Sequence, residues 1–389
     1  MYSKRLIIAC DAYLKVCALL GASALLLDSR TVKFYTTPYS RRTAKFNTVL
    51  LIFQIVFGAI RLLKFGNLSN KTDYELFTFN ISYVVLLIMC VPLICLLILT
   101  TSCKELVDCF NQALNYIFRV RETWVSLSDK EIALSYPTGT FLDWLFGFVA
   151  VMVASYSFLG GVAIYLMDIL PFQWMSMIPM QFKSRILFCM HLGFYGYMLI
   201  KCMVSVGIGL TIAASYVAFL IPFHSEFNLN RKSRKYITYD SFRSTAILPT
   251  EYRCLELIHH RVMSHFSLAF VPFQALVLQF SLFCNWMLLS HWESLGILRY
   301  LMIMAEVFLV LFWAAVLQTC GKFYAQSIKN RTSWRVLGED RYFRKWRKSV
   351  TPLYFGHQGY YVIKRLSILK FWKAIIRGTF RTMVTMSNV

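Results

Sequence analysis

The sequence predicts an all-α integral membrane protein: a bundle of seven transmembrane helices with the N-terminus inside and the C-terminus outside. Three observations predict it. Hydrophobic residues make up 58% of the 389-residue chain and charged residues only 15%, outside the range of ordinary soluble domains. Apolar runs long enough to cross a bilayer core of about 30 Å recur between polar segments. The formal charge of +22 is concentrated in alternate loops, the pattern of a positive-inside topology and not of a nucleic-acid-binding surface.

Residues 1–45 are expected to form a cytoplasmic N-terminal segment. Lys4 and Arg5 precede an apolar stretch that Asp11 and Lys15 interrupt, so this is no cleaved signal. Residues 6–27 read as one helix at or near the inner membrane surface. The first span covers about 46–65. The short loop after it carries two glycosylation sequons, beginning at Asn67 and Asn70, which favour an outside location. The second span, about 77–100, contains Pro92. Residues 101–138 are mixed in charge and contain an amphipathic helix that extends the second span inward. The third span is about 141–167, and 168–184 reads as an outer loop with Pro171 and Pro179. The apolar run 186–222 is read as one long helix. A basic loop and an approach helix lead to the fifth span, about 266–289; a short outer loop leads to the sixth, about 297–320. Residues 46–320 thus hold spans one to six. Residues 321–365 form a basic cytoplasmic anchor segment: eleven Lys and Arg stand against Glu339 and Asp340.

Residues 366–389 make the last helix. Lys370, Lys373, Arg377 and Arg381 recur at steps of three and four and share one face, which Val384 and Asn388 extend. A charged side chain at mid-bilayer costs roughly 2.5–3.5 kcal/mol on the lenient insertion scale. Four facing lipid would cost on the order of 10 kcal/mol. Two readings stand: a helix lining an aqueous pathway, or an amphipathic helix lying on the inner membrane surface.

Residues 341–381 lead through Pro352, Leu353, Gly356 and Gly359 into this helix. Together with span number, orientation and short outer loops, they resemble the arthropod gustatory and odorant receptor superfamily, with the gustatory branch preferred. Leu106, Asn111 and Leu114 after the second span are also similar. The resemblance implies a tetrameric, ligand-gated, nonselective cation channel of the plasma membrane, serving taste or olfaction. Its cytoplasmic helices would join the subunits, its seventh helices would surround the pore, and small tastants or odorants would bind in the outer bundle. Two departures stand out. The gustatory branch's closing motif, Thr-Tyr followed by an apolar run and Gln-Phe, is missing from TMVTMSNV. Rings of basic residues also favour anions over cations.

The candidate ligand pocket draws on the outer halves of the spans: Phe79, Tyr83, Tyr156, Tyr165, His191, Phe194, Tyr195, Tyr300 and Met304. Aromatic walls with few polar groups are the usual lining of a small-molecule site. Each of these residues can equally be packing or interfacial belt. Glu306 lies within the sixth span and Lys201 within the fourth; an intramembrane ionisable group marks either a functional contact or a structural pair.

Enzyme chemistry finds no support. Glu256, His259, His260 and His265 resemble half of a histidine-rich metal site, without the second half. The eleven cysteines form no CxxC pair, and no metal or cofactor is expected. No phosphate-binding loop or nucleophile elbow is present in the sequence. The alternative class is a multipass small-molecule or ion transporter, which would show related halves with interrupted helices.

Overall fold

A computed structural model describes residues 4–64, 72–125, 138–166, 170–230, 236–296, 298–337, 340–357 and 359–386. The sequons at Asn67 and Asn70 lie outside the described residues, as does Asn388. Helix α1 spans Lys4–Leu19, and strands β1 (Leu26–Asp28) and β2 (Lys33–Tyr35) form an antiparallel hairpin. There follow α2 (Pro38–Leu63), α3 (Asp73–Thr101), α4 (Cys103–Trp124), α5 (Thr138–Leu166), α6 (Arg185–Glu226), α7 (Leu248–Phe266), α8 (Phe270–Ser290) and α9 (Leu298–Ser333). The chain ends with α10 (Arg341–Ser349), a second hairpin of β3 (Gly356–His357) and β4 (Tyr361–Val362), and α11 (Ser367–Met386).

Among the described residues, five helical stretches are long and apolar enough to cross a membrane: Pro38–Leu63, Glu75–Thr101, Arg185–Glu226, Leu248–Ser290 and Leu298–Val336. Gly147–Val162 is a shorter apolar stretch within α5. The single helix expected over 186–222 is α6. Its 42 residues at 1.5 Å each span about 63 Å, so it projects well beyond a hydrocarbon core of about 30 Å.

The caps explain where the first spans begin. Thr37 and Ser40 form a reciprocal capping box around Pro38, so α2 starts before position 46. Thr72 and Glu75 do the same for α3. The expectation of one helix over 6–27 needs correction. Helix α1 stops at Leu19, and the apolar run beyond it packs as a buried segment leading into β1. Asn111 of α4 holds the hairpin: its Oδ1 accepts from Phe34 N at 2.7 Å and its Nδ2 donates to Phe34 O at 2.9 Å. That bidentate contact satisfies both backbone groups of a strand residue that would otherwise lack partners on that side.

At the tail end, α4, the lower part of α6, α7, the end of α9, α10 and the second hairpin share one core. Trp334, Tyr252, Phe227, Phe242, Phe323 and Phe343 are fully buried there. Several of its polar groups are paired across elements: Trp334 Nε1 donates to Phe227 O at 2.7 Å, and Asn330 Nδ2 donates to His224 O at 2.7 Å. Leu353 is buried in the same core and its N–H donates to Ser327 Oγ at 2.7 Å. The core is continuous with Phe371 and Ile375 of α11.

Candidate functional site

Two places in the bundle collect the residues singled out from the sequence: the bundle end opposite the tail core, and the surface of α11.

At the bundle end, His191 and Tyr195 sit one turn apart on α6, 2% and 5% exposed, with ring centroids 4.8 Å apart. Trp174 lies 5.5 Å from His191, Phe172 lies 6.0 Å from Tyr195, and Phe194 lies 5.2 Å from Tyr195. The Tyr195 hydroxyl oxygen accepts from Gln54 Nε2 at 2.9 Å and from Trp174 N at 3.3 Å. Gln54 also donates to Phe172 O at 3.3 Å. His191 Nδ1 is buried with no hydrogen-bond partner among the described residues.

Sequence reasoning missed Gln54 and the Phe172–Trp174 turn. The turn was expected to be outer loop, yet Pro171, Phe172, Gln173 and Met175 are buried against the helices. The signal was available: PFQWMSMIP is too apolar for a solvated loop. Gln54 is a lone amide in an apolar run, and a buried amide requires partners.

Across α3, α8 and α9, Tyr83 and Phe283 have ring centroids 5.0 Å apart, and Gln279 Nε2 donates to the Tyr83 hydroxyl. Phe79 packs on the same apolar cluster. Glu306 accepts from Ser281 Oγ at 2.7 Å, so the carboxylate is held by a neighbouring hydroxyl. Tyr156 of α5 faces Phe308 at 6.2 Å, and its buried hydroxyl has no partner among the described residues. Tyr165, Tyr300 and Met304 lie at the surface of the chain, 63%, 56% and 57% exposed.

Lys201 is fully buried. Its Nζ donates to Asn47 O at 3.2 Å and lies 3.2 Å from Met198 Sδ, and among the described residues it has no carboxylate partner. It belongs to the join between α2 and α6. His259 is likewise structural: one ring nitrogen lies 3.0 Å from the Tyr216 hydroxyl and the other 2.9 Å from Tyr354 O.

Helix α11 has three faces. Phe371 and Ile375 are buried, and Gly378 and Thr379 lie on the same side against α8. A Cβ on Gly378 would come within 2.6 Å of Leu282, so glycine is what lets the two helices approach this closely. Asn285 Nδ2 donates to Thr379 Oγ1 at 3.0 Å. Leu369, Ile376, Phe380 and Met383 make an exposed apolar face. Lys370, Lys373, Arg377, Arg381 and Val384 are exposed on the third. Among the described residues none of the four basic side chains meets a carboxylate.

The base of α11 is fixed by the second hairpin. Gly356 adopts φ +115°, and a Cβ there would lie 2.0 Å from Tyr361 O. Tyr361 donates its hydroxyl hydrogen to Gln274 Oε1 of α8. Burial, with the Cys320 thiol nearby, pushes the Tyr361 phenol up to about 12, so it stays a donor at physiological pH.

No protein-family model and no curated protein matches the sequence. Solved structures do. The insect olfactory receptor OR5 from Machilis hrabei aligns with a TM-score of 0.64 at 11% identity, covering 97% of this chain and 98% of that one. The same receptor in complex with eugenol aligns with a TM-score of 0.62 at 11% identity, covering 97% and 99%. Over almost its whole length, then, this chain has the fold of an insect olfactory receptor.

Proposed function

We propose that this protein is a chemosensory receptor of the plasma membrane that acts as a ligand-gated ion channel, opened by a small extracellular tastant or odorant. The observation that carries the reading is the division of α11. One face packs on its own bundle, one is apolar and exposed, and one carries four exposed basic residues that meet no carboxylate among the described residues. A helix of this kind fits a central pathway shared by several copies of the chain, with the apolar face toward a neighbouring copy and Lys370, Lys373, Arg377, Arg381, Val384 and Asn388 toward water. The basic loops support an orientation with the N-terminus inside and the C-terminus outside.

The ligand site of this reading is the aromatic end of the bundle. Phe79, Tyr83, His191, Tyr195 and Glu306 form its walls, with Tyr156, Tyr165, Tyr300 and Met304 at its borders. The His191 Nδ1 and the Tyr156 hydroxyl, without hydrogen-bond partners among the described residues, supply polar handles in an otherwise apolar surrounding. A ligand opens the pathway only to the extent that it binds the open state more tightly. The solved neighbour was captured with eugenol, which supports a small, mainly apolar organic ligand here too.

The test is whole-cell recording from cells expressing the full chain during a screen of sugars, bitter compounds and volatiles, eugenol included. The expected result is a ligand-evoked current. Exchange of bath sodium and bath chloride then separates the nonselective cation conduction of the resembling family from the anion preference of the basic stripe. Arg377→Ala with Arg381→Ala is expected to shift the reversal potential toward cations. Surface-expressed protein that passes no current, together with a C-terminal tag that cannot be labelled from outside, would overturn the reading.

A further inference from the structure

A partly enclosed apolar space lies at the other end of the molecule from the aromatic cluster. It measures about 120 Å³ and sits between α1, the first hairpin, α4 and α6. Leu6, Cys10, Tyr13 and Leu14 of α1 form one wall, Leu27 and Phe34 of the hairpin a second. Phe110, Ala113, Leu114 and Ile117 of α4 face Ile208, Thr211 and Ile212 of α6 across it.

Its few polar groups are already engaged. The Tyr13 hydroxyl donates to Val204 O at 3.2 Å, Thr211 donates to Gly207 O at 2.8 Å, and the Tyr216 hydroxyl meets His259. Water needs two to four polar partners to occupy such a space, and apolar cavities of similar size stay dry and take up one-ring hydrocarbons; the reference case is an engineered cavity of about 150 Å³ that binds benzene.

The other face of α1 makes the membrane the source. Ile8, Ala12, Val16 and Leu19 are exposed along it, flanked by Arg5 and Lys15, the pattern of a helix at a membrane interface. Lys15 is held by Asp11 at 2.9 Å, which leaves the apolar row uninterrupted. A hydrophobe dissolved in the inner leaflet therefore meets α1 first and the space directly behind it.

We propose that this space is a second binding site, taking one uncharged hydrocarbon group the size of a single ring or the end of an acyl chain. Its long wall is α6, the helix that also carries His191 and Tyr195. The site is separate from the proposed tastant or odorant site, and its occupancy does not depend on that reading.

Cys10 is a reporter already in the wall. The experiment follows modification of Cys10 by methyl methanethiosulfonate, peptide by peptide in a mass spectrometer, on purified full-length protein with and without toluene. The exposed Cys189 at the far end of α6 is the internal control. Lipid-free protein in amphipol and protein in lipid nanodiscs are compared. The expected result in amphipol is at least a fivefold slowing of Cys10 by toluene, with Cys189 unchanged. If acyl chains are the natural occupant, Cys10 is already slow in nanodiscs before toluene is added. If a free hydrophobe is, Cys10 is fast in nanodiscs and toluene slows it. Ala113→Phe fills the space with a ring and should make Cys10 slow and indifferent to toluene; Ala113→Leu serves if the larger residue prevents folding. A Cys10 rate that is fast in both preparations and unmoved by toluene, or an equal slowing of Cys10 and Cys189, would overturn the proposal.

Discussion

Substitution of Gly356 by alanine isolates how tightly the base of α11 is held. The backbone there has φ +115°, which costs a residue with a side chain about 1–3 kcal/mol. Strain is only part of the cost. The added methyl would lie 2.0 Å from Tyr361 O, a backbone atom that no side-chain rotation can move. The β3–β4 pair must open, which threatens the Gly356–Val362 pairing and the bond from Ile363 N to Phe355 O, 3.0 Å long. At about 1 kcal/mol net for each lost bond, the total reaches roughly 3–5 kcal/mol. Gly359→Ala is the matched control: its φ is +90°, but a Cβ there meets nothing within 4 Å, so only the backbone strain applies. Thermal unfolding of detergent-solubilised full-length protein, followed by loss of the monodisperse chromatographic peak, should place Gly356→Ala below Gly359→Ala and both below the parent. Equal midpoints for the two variants would refute the collision argument, because both backbones lie at positive φ and only the methyl at 356 meets another atom.

Three further outcomes follow from the packing. A double-mutant cycle of Asn285→Ala and Thr379→Val should give a coupling of about 0.5–1.5 kcal/mol in unfolding free energy, the worth of a single hydrogen bond from α8 to α11; a coupling of zero removes that contact from the account of how α11 is seated. Tyr195→Phe takes away an acceptor shared by Gln54 and the Trp174 N–H, leaving Gln54 only Phe172 O and the partly buried Trp174 N–H short, and costs roughly 1–3 kcal/mol, with a several-fold rise in agonist EC50 in the current assay; unchanged stability and EC50 would show that water replaces the hydroxyl. Burial pushes the Cys109 thiol up to about 11 against a smaller opposing pull from Arg261, so the thiol is protonated throughout the physiological range and iodoacetamide labelling should be negligible below about pH 10 while Cys189 reacts; fast labelling of Cys109 at pH 8 would place it in water.

How much of this was legible in the sequence depends on how local each feature is. The long helices could be read because a run of about 20 apolar residues is a local property. The basic stripe of α11 could be read because steps of three and four fix a face. The first hairpin could not: its strands are three residues each, and the groups that hold Phe34 sit 77 residues away on Asn111. The inward-facing residues of the spans were also only partly legible. A helix that is apolar all round carries no periodic signal for which side faces its neighbours. Tyr195 and Tyr300 therefore look alike in sequence, although one is buried beside Gln54 and the other lies more than half exposed. Pro352–Leu353 and the two following glycines are legible in sequence only as a likeness, and the fold supplies reasons for two of them: Leu353 is fully buried, and Gly356 admits the neighbouring strand.

The three faces of α11 also constrain what surrounds this chain. Its packed side buries Phe371 and Ile375 and admits α8 at Gly378, which seats the helix against its own bundle but shields none of the four basic residues. If α11 crossed a bilayer as part of a lone subunit, those residues would face hydrocarbon at a cost on the order of 10 kcal/mol, comparable with the whole stability of an ordinary domain. Water along one face removes that cost, and on that side of the helix the four basic residues are exposed. The adjacent row of Leu369, Ile376, Phe380 and Met383 has the complementary requirement, an apolar neighbour. In the function proposed above, copies of α11 around a common axis would meet both at once, each with its apolar row against the next copy and its basic row toward the axis.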